Sequence, residues 1–234
     1  MTLKEIQKRL TALRDKGYVP SRRKGPTGIG HTLEQELELN ETNIAIPDLG
    51  GRVELKATRR NASSLITLFT FNRGIWQLPQ KEVVEKFGYV DEDNRKALYS
   101  TIYVGKQNTQ GLTLTIDKNN NQVKLIHKPT LKVIAIWSIF TIVGKFISKL
   151  ERAIFVLAQS RLDMQGKEQF YFDESYLLEH PSPDKFLEAF ENSLIAIDIR
   201  MHLKERGTIR NHGTGIRIFE KDIIQLYGKR RKLT

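Results

Sequence analysis

Three charged residues, Asp48, Glu54 and Lys56, lie close together in the segment 46–57 and are of the types that hydrolytic metal sites use. On a β-strand, alternate side chains share a face. Glu54 and Lys56 therefore project together, while the apolar residues that alternate with them can face a core. A surface strand with an ordinary Glu–Lys pattern has the same sequence signature, so the pair alone does not identify a site.

Asp48 can join this pair through the glycines that follow it. A two-residue loop at Gly50-Gly51 would set Asp48 opposite Val53, on the wrong face of the strand. A three-residue loop that also includes Arg52 sets Asp48 opposite Glu54. Directly opposed residues have β-carbons about 4.5–5.5 Å apart. The second loop therefore predicts two neighbouring carboxylates.

Two carboxylates at that separation repel each other unless a cation lies between them. Mg²⁺ prefers oxygen ligands and is usually held by one or two carboxylates together with phosphate and water. We therefore expect one or two Mg²⁺ ions, with Asp48 and Glu54 as metal ligands. Lys56 would orient or deprotonate the attacking water, or stabilise charge that develops on the phosphorus centre. The sequence leaves these roles of Lys56 open.

The composition favours a polyanionic partner. The chain has 234 residues, of which 38 are Lys or Arg and 27 are Asp or Glu, and its net charge is +11. Contacts with nucleic-acid phosphates release condensed counterions, which favours binding. The basic residues do not form one amphipathic helix, which weakens the rival reading of a membrane surface. With no cysteine, the chain has no disulfide, thiol nucleophile or cysteine-bound zinc.

The chain shows no apolar signal core near Met1, and its most apolar stretch, 131–146, is interrupted by charges. A soluble, cytoplasmic protein is therefore expected. Hydrophobic periodicity predicts a mixed α/β or α+β class with a mostly antiparallel or mixed sheet. Helices are predicted over 2–15, from Thr32 onward, and over 80–87, 139–149, 219–227 and from Ser182 onward. Strands are predicted over 43–60 (with a turn at Gly50-Gly51), 64–71, 98–104, 111–117, 122–128, 131–137, 152–161 and 194–203. Residues 207–218 are predicted to have β character at their ends, and the basic tail 229–232 to be a disordered end.

Three blocks of the chain resemble a known family. The Gly-rich segment 22–34, the Asp48…Glu54-x-Lys56 pattern with the strand 65–71, and the segment 210–218 occur in the order found in the MvaI/BcnI group of type II restriction endonucleases. That group is similar in fold to the mismatch-repair nuclease MutH, within the restriction-endonuclease-like superfamily. The resemblance implies a mixed central sheet flanked by helices. It also implies that Glu34, on a helix, is a catalytic carboxylate that supports the metal site. Without it, Glu34 reads as a helix-surface charge like its neighbours Glu36 and Glu38.

The resemblance further implies one domain over 1–234, built from two intimate subdomains that form a DNA cleft. The catalytic subdomain would comprise approximately 1–100 and 145–175, and the DNA-recognition subdomain 101–144 and 176–234. The implied activity is Mg²⁺-dependent cleavage of double-stranded DNA at a five-base-pair site of the CC-N-GG kind. The enzyme would act as a monomer that nicks the strands in sequence, in a bacterial or archaeal cytoplasm, beside a separately encoded DNA methyltransferase.

Asp198 and Arg200 are two residues apart on one predicted strand and therefore share a face. Together they can read a G·C pair, because arginine binds guanine O6 and N7 while a carboxylate accepts from cytosine N4. A structural ion pair along the strand is the alternative. Arg210, His212 and Arg217 lie in the block that resembles the late DNA-reading segment of the family.

Arg22, Arg23 and Lys24 precede a Gly-rich loop and a helix start, where backbone N–H groups favour anions. We assign them to phosphate or minor-groove contact, with a solvated basic loop as the alternative.

Two other functions fit the same sequence. A MutH-like nicking repair nuclease would give nicked circles and depend on a partner protein. A noncatalytic DNA-binding module on the nuclease fold would bind without cutting.

Overall fold

A computed structural model describes residues 2–39, 53–60, 65–72 and 74–234. Its helices are α1 Leu3–Asp15, α2 Gly28–Glu36, α3 Gln80–Phe87, α4 Ile139–Leu150 and α5 Pro183–Glu191, with 3₁₀ turns at Lys128–Thr130 and Glu220–Leu226. Its strands are β1 Val19–Pro20, β2 Glu54–Arg59, β3 Leu65–Phe71, β4 Ile75–Trp76, β5 Tyr89–Val90, β6 Lys96–Tyr103, β7 Leu112–Asp117, β8 Gln122–His127, β9 Lys132–Ser138, β10 Arg152–Leu162, β11 Glu168–Pro181, β12 Ile195–Leu203, β13 Ile209–Phe219 and β14 Tyr227–Lys232. The class is mixed α+β, as the sequence predicts.

Several sequence expectations are corrected by the structure. The second helix begins at Gly28, and Thr32 lies inside it, where its hydroxyl donates to Gly28 O at 2.7 Å. Residues 209–219 form one continuous strand, and the last predicted helix is a 3₁₀ turn. The basic tail is strand β14, paired with β11, a 14-residue strand that periodicity did not reveal.

The chain divides into two compact units. The first comprises 1–64, 147–182 and 223–234, and the second comprises 65–146 and 183–222. These bounds place 65–100 with the second unit and 223–234 with the first.

The first unit is built on a sheet of order β1-β11-β10-β2, with β14 also paired to β11. Strands β10 and β2 run parallel, while the other neighbours are antiparallel. Helix α1 starts with a capping box between Thr2 and Glu5 and packs its apolar face into the core of this unit. Helix α2 joins the same core and contacts β2. The core therefore fixes one face of β2.

The second unit contains two antiparallel sheets. One has the order β3-β13-β12-β6-β5 and the other has the order β4-β9-β8-β7. Helices α3 and α5 contact β12, and the apolar residues of β12 that alternate with Asp198 are buried. Asp198 and Arg200 consequently project from the opposite face of this sheet. No helix in the described part of the chain is long and apolar enough to cross a membrane.

Candidate active site

Strand β2 places Glu54 and Lys56 on one face and Leu55 on the other. Leu55 belongs to the apolar core of the first unit, with Val53 and Ala57 packed beside it. Glu54 is only 1% exposed. The strand runs parallel to β10, and Ala153 is the register partner of Glu54. The alternative of an ordinary surface strand is therefore wrong, because its glutamate is buried.

The Glu54 carboxylate is shared by two lysines. Its Oε1 lies 2.6 Å from Lys56 Nζ and 3.5 Å from Lys149 Nζ, in the last turn of α4. Its Oε2 is buried and has no hydrogen-bond partner among the described residues. A buried charge is costly unless it is paired and its remaining lone pairs are satisfied. Glu54 therefore has one neutralised oxygen and one oxygen that still requires a ligand.

Tyr227 is buried near Glu54. Its buried hydroxyl donates to Leu150 O at 3.1 Å. Burial, together with the nearby negative charge of Glu54, raises the pKa of Tyr227. The phenol consequently remains a neutral donor, which satisfies a carbonyl at the end of α4.

The buried Oε2 of Glu54 fits a hard divalent cation, because it is an anionic oxygen in a low-dielectric setting without a protein donor in the described residues. Within those residues, no group of three His, Cys, Asp or Glu side chains that could hold a metal is found. Asp48 and the Gly50-Gly51 loop lie outside the described residues. Their placement opposite Glu54 stays a prediction.

Glu36 and Glu38, the neighbours of Glu34, each pair with basic residues of the first unit. Glu36 binds Lys16 at 3.1 Å and Arg22 at 3.0 Å, and Glu38 lies 3.0 Å from Arg9. Although burial opposes the shift, the bonds from Arg22 and Lys16 hold the pKa of Glu36 below its usual value. Glu34 is half-buried on the helix that contacts β2. Its supporting role at the metal site stays a prediction.

The basic loop before α2 is held in a defined conformation. Ser21 Oγ donates to Arg23 O at 2.7 Å, and Arg22 N donates to Thr32 Oγ1 at 3.0 Å. Arg59, from the far end of β2, forms two bonds of 2.6 and 2.7 Å to Glu168 and reaches the carbonyls of Gly25 and Pro26 at 3.3 and 3.4 Å. One strand thus carries the candidate site and also anchors the loop.

The side chains of this loop are solvent-exposed. Arg23 and Lys24 are exposed, and Arg22 is 54% exposed although it pairs with Glu36. The fixed backbone presents these cations to the solvent in a preset arrangement. A loop held in this way loses less conformational entropy on binding phosphate than a loosely solvated loop would.

In the second unit, Asp198 is the centre of a polar network. The residue is 6% exposed. Oδ2 accepts from Arg200 Nε at 2.7 Å and from Arg217 Nη1 at 3.3 Å, while Oδ1 accepts from the hydroxyl of Thr101 at 2.9 Å. Arg217 Nη2 also donates to Leu65 O at 2.6 Å. The ion pair considered as an alternative is therefore present, and it holds both arginines in place.

This network lines a cavity of about 640 Å³ whose walls are mostly polar. His212 is on its wall, and the His212 ring lies 5.5 Å from the ring of His202, which bonds Tyr99 Oη at 2.8 Å. Burial, and then the neighbouring arginines, lower the pKa of both histidines. Arg210 is exposed and pairs in register with His202. Of the predicted DNA-reading residues, Asp198, Arg200, His212 and Arg217 share this cavity, while Arg210 borders the histidine pair.

Sequence reasoning missed several residues of these two sites: Arg59, Tyr99, Thr101, Lys149, His202 and Tyr227. Lys149 follows Lys145 by one helical turn, and nothing local distinguishes them. Thr101 and Tyr99 stand on β6, whose pairing with β12 is a long-range contact. Their roles depend on topology, which residue spacing does not reveal.

A model of the MvaI/BcnI restriction endonuclease family matches residues 7–227 of the chain. The structure of a complex of restriction endonuclease MvaI with its cognate DNA substrate aligns with a TM-score of 0.82 and 23% identity, over 100% of both chains. The structure of MvaI in the absence of DNA aligns with a TM-score of 0.58 and 22% identity, over 100% of this chain and 99% of that one. No curated protein matches the chain. The two structural likenesses show a shared fold.

Proposed function

Since the chain belongs to the MvaI/BcnI restriction endonuclease family, as the three sequence blocks indicate, we propose that it is a Mg²⁺-dependent type II restriction endonuclease. It would cut double-stranded DNA at a short G·C-rich site of the CC-N-GG kind, as a monomer that nicks the two strands in sequence. The observation that carries the proposal is Glu54, a carboxylate 1% exposed and 2.6 Å from Lys56.

The chain's own residues have distinct tasks in the proposed reaction. When bound, Mg²⁺ polarises the scissile phosphate and lowers the pKa of water. Glu54 Oε2 and Asp48 would hold that ion, with Glu34 as the helical support. The Lys56 ammonium, fixed by Glu54, would orient the attacking water or stabilise charge on the reacting phosphate. Burial of the site strengthens each of these electrostatic contacts.

We assign catalysis to the first unit and sequence reading to the second. Arg200 is 53% exposed and binds Asp198 through Nε, and its two Nη nitrogens make no hydrogen bond in the described part of the chain. Two such nitrogens match the O6 and N7 acceptors of guanine. Arg210, His212 and Arg217 would contribute further contacts, while Arg22, Arg23 and Lys24 would bind the phosphate backbone. The proposal implies a separately encoded methyltransferase and a bacterial or archaeal cytoplasm.

The test is digestion of a supercoiled plasmid with Mg²⁺ by wild type, Glu54→Ala and Lys56→Ala. Discrete fragments are expected from wild type, and run-off sequencing would give the site. Loss of charge stabilisation by one positioned group costs about 10²–10³-fold in rate. The exposed Glu92→Ala and Lys8→Ala variants are charge-matched controls that should cut normally.

Each other outcome contradicts the proposal. Nicked circles without linear product would favour the MutH-like repair nuclease. Binding without cleavage would favour a noncatalytic module. Wild-type rates in both Glu54→Ala and Lys56→Ala would show that the active site lies elsewhere.

A further inference from the structure

Lys149 is a second cation at the candidate active site, although the sequence pattern contains only Lys56. Its ammonium lies 3.5 Å from Glu54 Oε1, and its side chain is 21% exposed, close to the 22% of Lys56. It stands in the last turn of α4, where the helix dipole favours a positive charge. The helix therefore holds a mostly buried cation beside the reacting groups.

The described partners of Lys149 do not satisfy it. An ammonium group has three N–H donors. At 3.5 Å from Oε1, Lys149 is outside the usual 2.7–3.2 Å range of an N–H···O bond, and it makes no hydrogen bond to the part of the chain that the structure describes. The same Oε1 is already bound by Lys56 at 2.6 Å. Among the described residues, one carboxylate thus faces two lysines, which leaves one positive charge in excess.

We propose that Lys149 binds a non-bridging oxygen of the DNA phosphate at the active site. A phosphate supplies the anionic acceptor that both the charge excess and the unused donors require. The predicted Asp48 carboxylate would cancel this excess positive charge. A divalent ion bound between the carboxylates would restore it. This inference rests on the proposed function, because the phosphate belongs to the DNA that is cut. A purely structural lysine, which only neutralises Glu54, is the rival explanation.

Salt dependence of DNA binding separates the two explanations. Each phosphate contact contributes about 0.9 to the slope of log K against log salt concentration. The measurement uses the otherwise wild-type chain without divalent metal, which on the proposed mechanism cannot cut and which keeps the Glu54 carboxylate that a purely structural Lys149 would neutralise. Binding of a short duplex that wild-type protein cuts would be followed by fluorescence anisotropy across a potassium chloride series without divalent metal.

Under these conditions, Lys149→Met should reduce the slope by about 0.9. Lys149→Arg, which keeps the cation, and Lys8→Met, which removes an exposed lysine from α1, should leave it unchanged. Thermal unfolding would verify that each variant folds. If Lys149→Met does not fold, Lys149→Gln, which keeps a polar end, gives the same comparison.

An unchanged slope in the folded Lys149 variants would overturn the inference and leave the proposed function intact. An equal loss of slope with Lys8→Met would also overturn it, since the effect would then be general charge. Failure of wild type to cut any duplex would refute the proposed function itself, and the inference with it.

Discussion

Replacing Gly28 with alanine should displace the basic loop, whereas replacing Gly30 on the same helix should not. A Cβ added at Gly28 would lie 2.3 Å from Arg23 O and 2.9 Å from Ser21 Oγ. A Cβ added at Gly30 meets no heavy atom within 4 Å in the described residues. Both substitutions occur in α2, and neither glycine has a positive φ. The pair therefore isolates the close approach of the loop.

The expected magnitudes follow from that geometry. Ordinary contact begins at 3.4 Å, so the Arg23 carbonyl must move by about 1.1 Å or the helix must shift. Overpacking of this kind costs about 1–3 kcal/mol. Alanine also favours a helix over glycine by about 0.5–1 kcal/mol. Gly30→Ala should thus stabilise the protein by about 0.5–1 kcal/mol, and Gly28→Ala should fall about 1–3 kcal/mol below it.

Urea unfolding of both variants measures this difference directly. The same metal-free duplex-binding assay would then show weaker DNA binding for Gly28→Ala, because Arg23 and Lys24 are displaced. Equal stability of the two alanine variants would refute the close packing of the loop on α2. A lower stability of Gly28→Ala with unchanged DNA affinity would refute the assignment of the loop to DNA contact.

Two further predictions concern the cavity of the second unit. Asp198→Asn should destabilise the protein by about 2–4 kcal/mol, which is below the full cost of breaking a buried pair because Arg200 is half-exposed. Urea unfolding beside the exposed Glu205→Gln control would measure this loss. A loss below about 1 kcal/mol would contradict the prediction. His202 and His212 have lowered pKa values in the fold, so the stability they contribute is present above about pH 6.5 and is lost as the pH falls through their folded pKa values. The unfolding free energy of His212→Gln should therefore fall less steeply than that of wild type below about pH 6.5, and identical pH profiles would disprove the effect.

The chemistry of β2 is predictable from its sequence, but its burial is not. Alternation alone places Glu54 and Lys56 on one face and Leu55 in the core. A buried polar pair and a solvated one give the same alternation. The difference arises from β10, which pairs with β2 in parallel, and from Lys149 at the end of α4. Both neighbours are distant in sequence from β2, so no local sequence pattern predicts their contact with it.

Strand β11 was missed because its charges hide its periodicity. It carries four acids, and their partners come from other segments of the chain. Arg60 binds Asp173 and Glu174 at 3.0 and 2.8 Å, and the tail that seemed disordered supplies Lys232, which lies 3.6 Å from Glu174. The acidic strand and the basic tail are each unremarkable alone. Backbone pairing joins the two strands, and it places Lys229 and Lys232 beside Glu179 and Glu174, so that their charges compensate across the ladder.

The Asp198–Arg200 pair shows why the two readings of a motif need not exclude each other. A carboxylate that reads cytosine must be open to the base, yet Asp198 is only 6% exposed and both of its oxygens already accept bonds from within the second unit. The predicted reading of a G·C pair by both residues therefore rests more on the arginine. By binding Nε, Asp198 aims the Nη nitrogens of Arg200 outward and reduces the side-chain entropy lost when they meet a base. On this argument the ion pair is structural, and because it is structural it prepares Arg200 to read guanine.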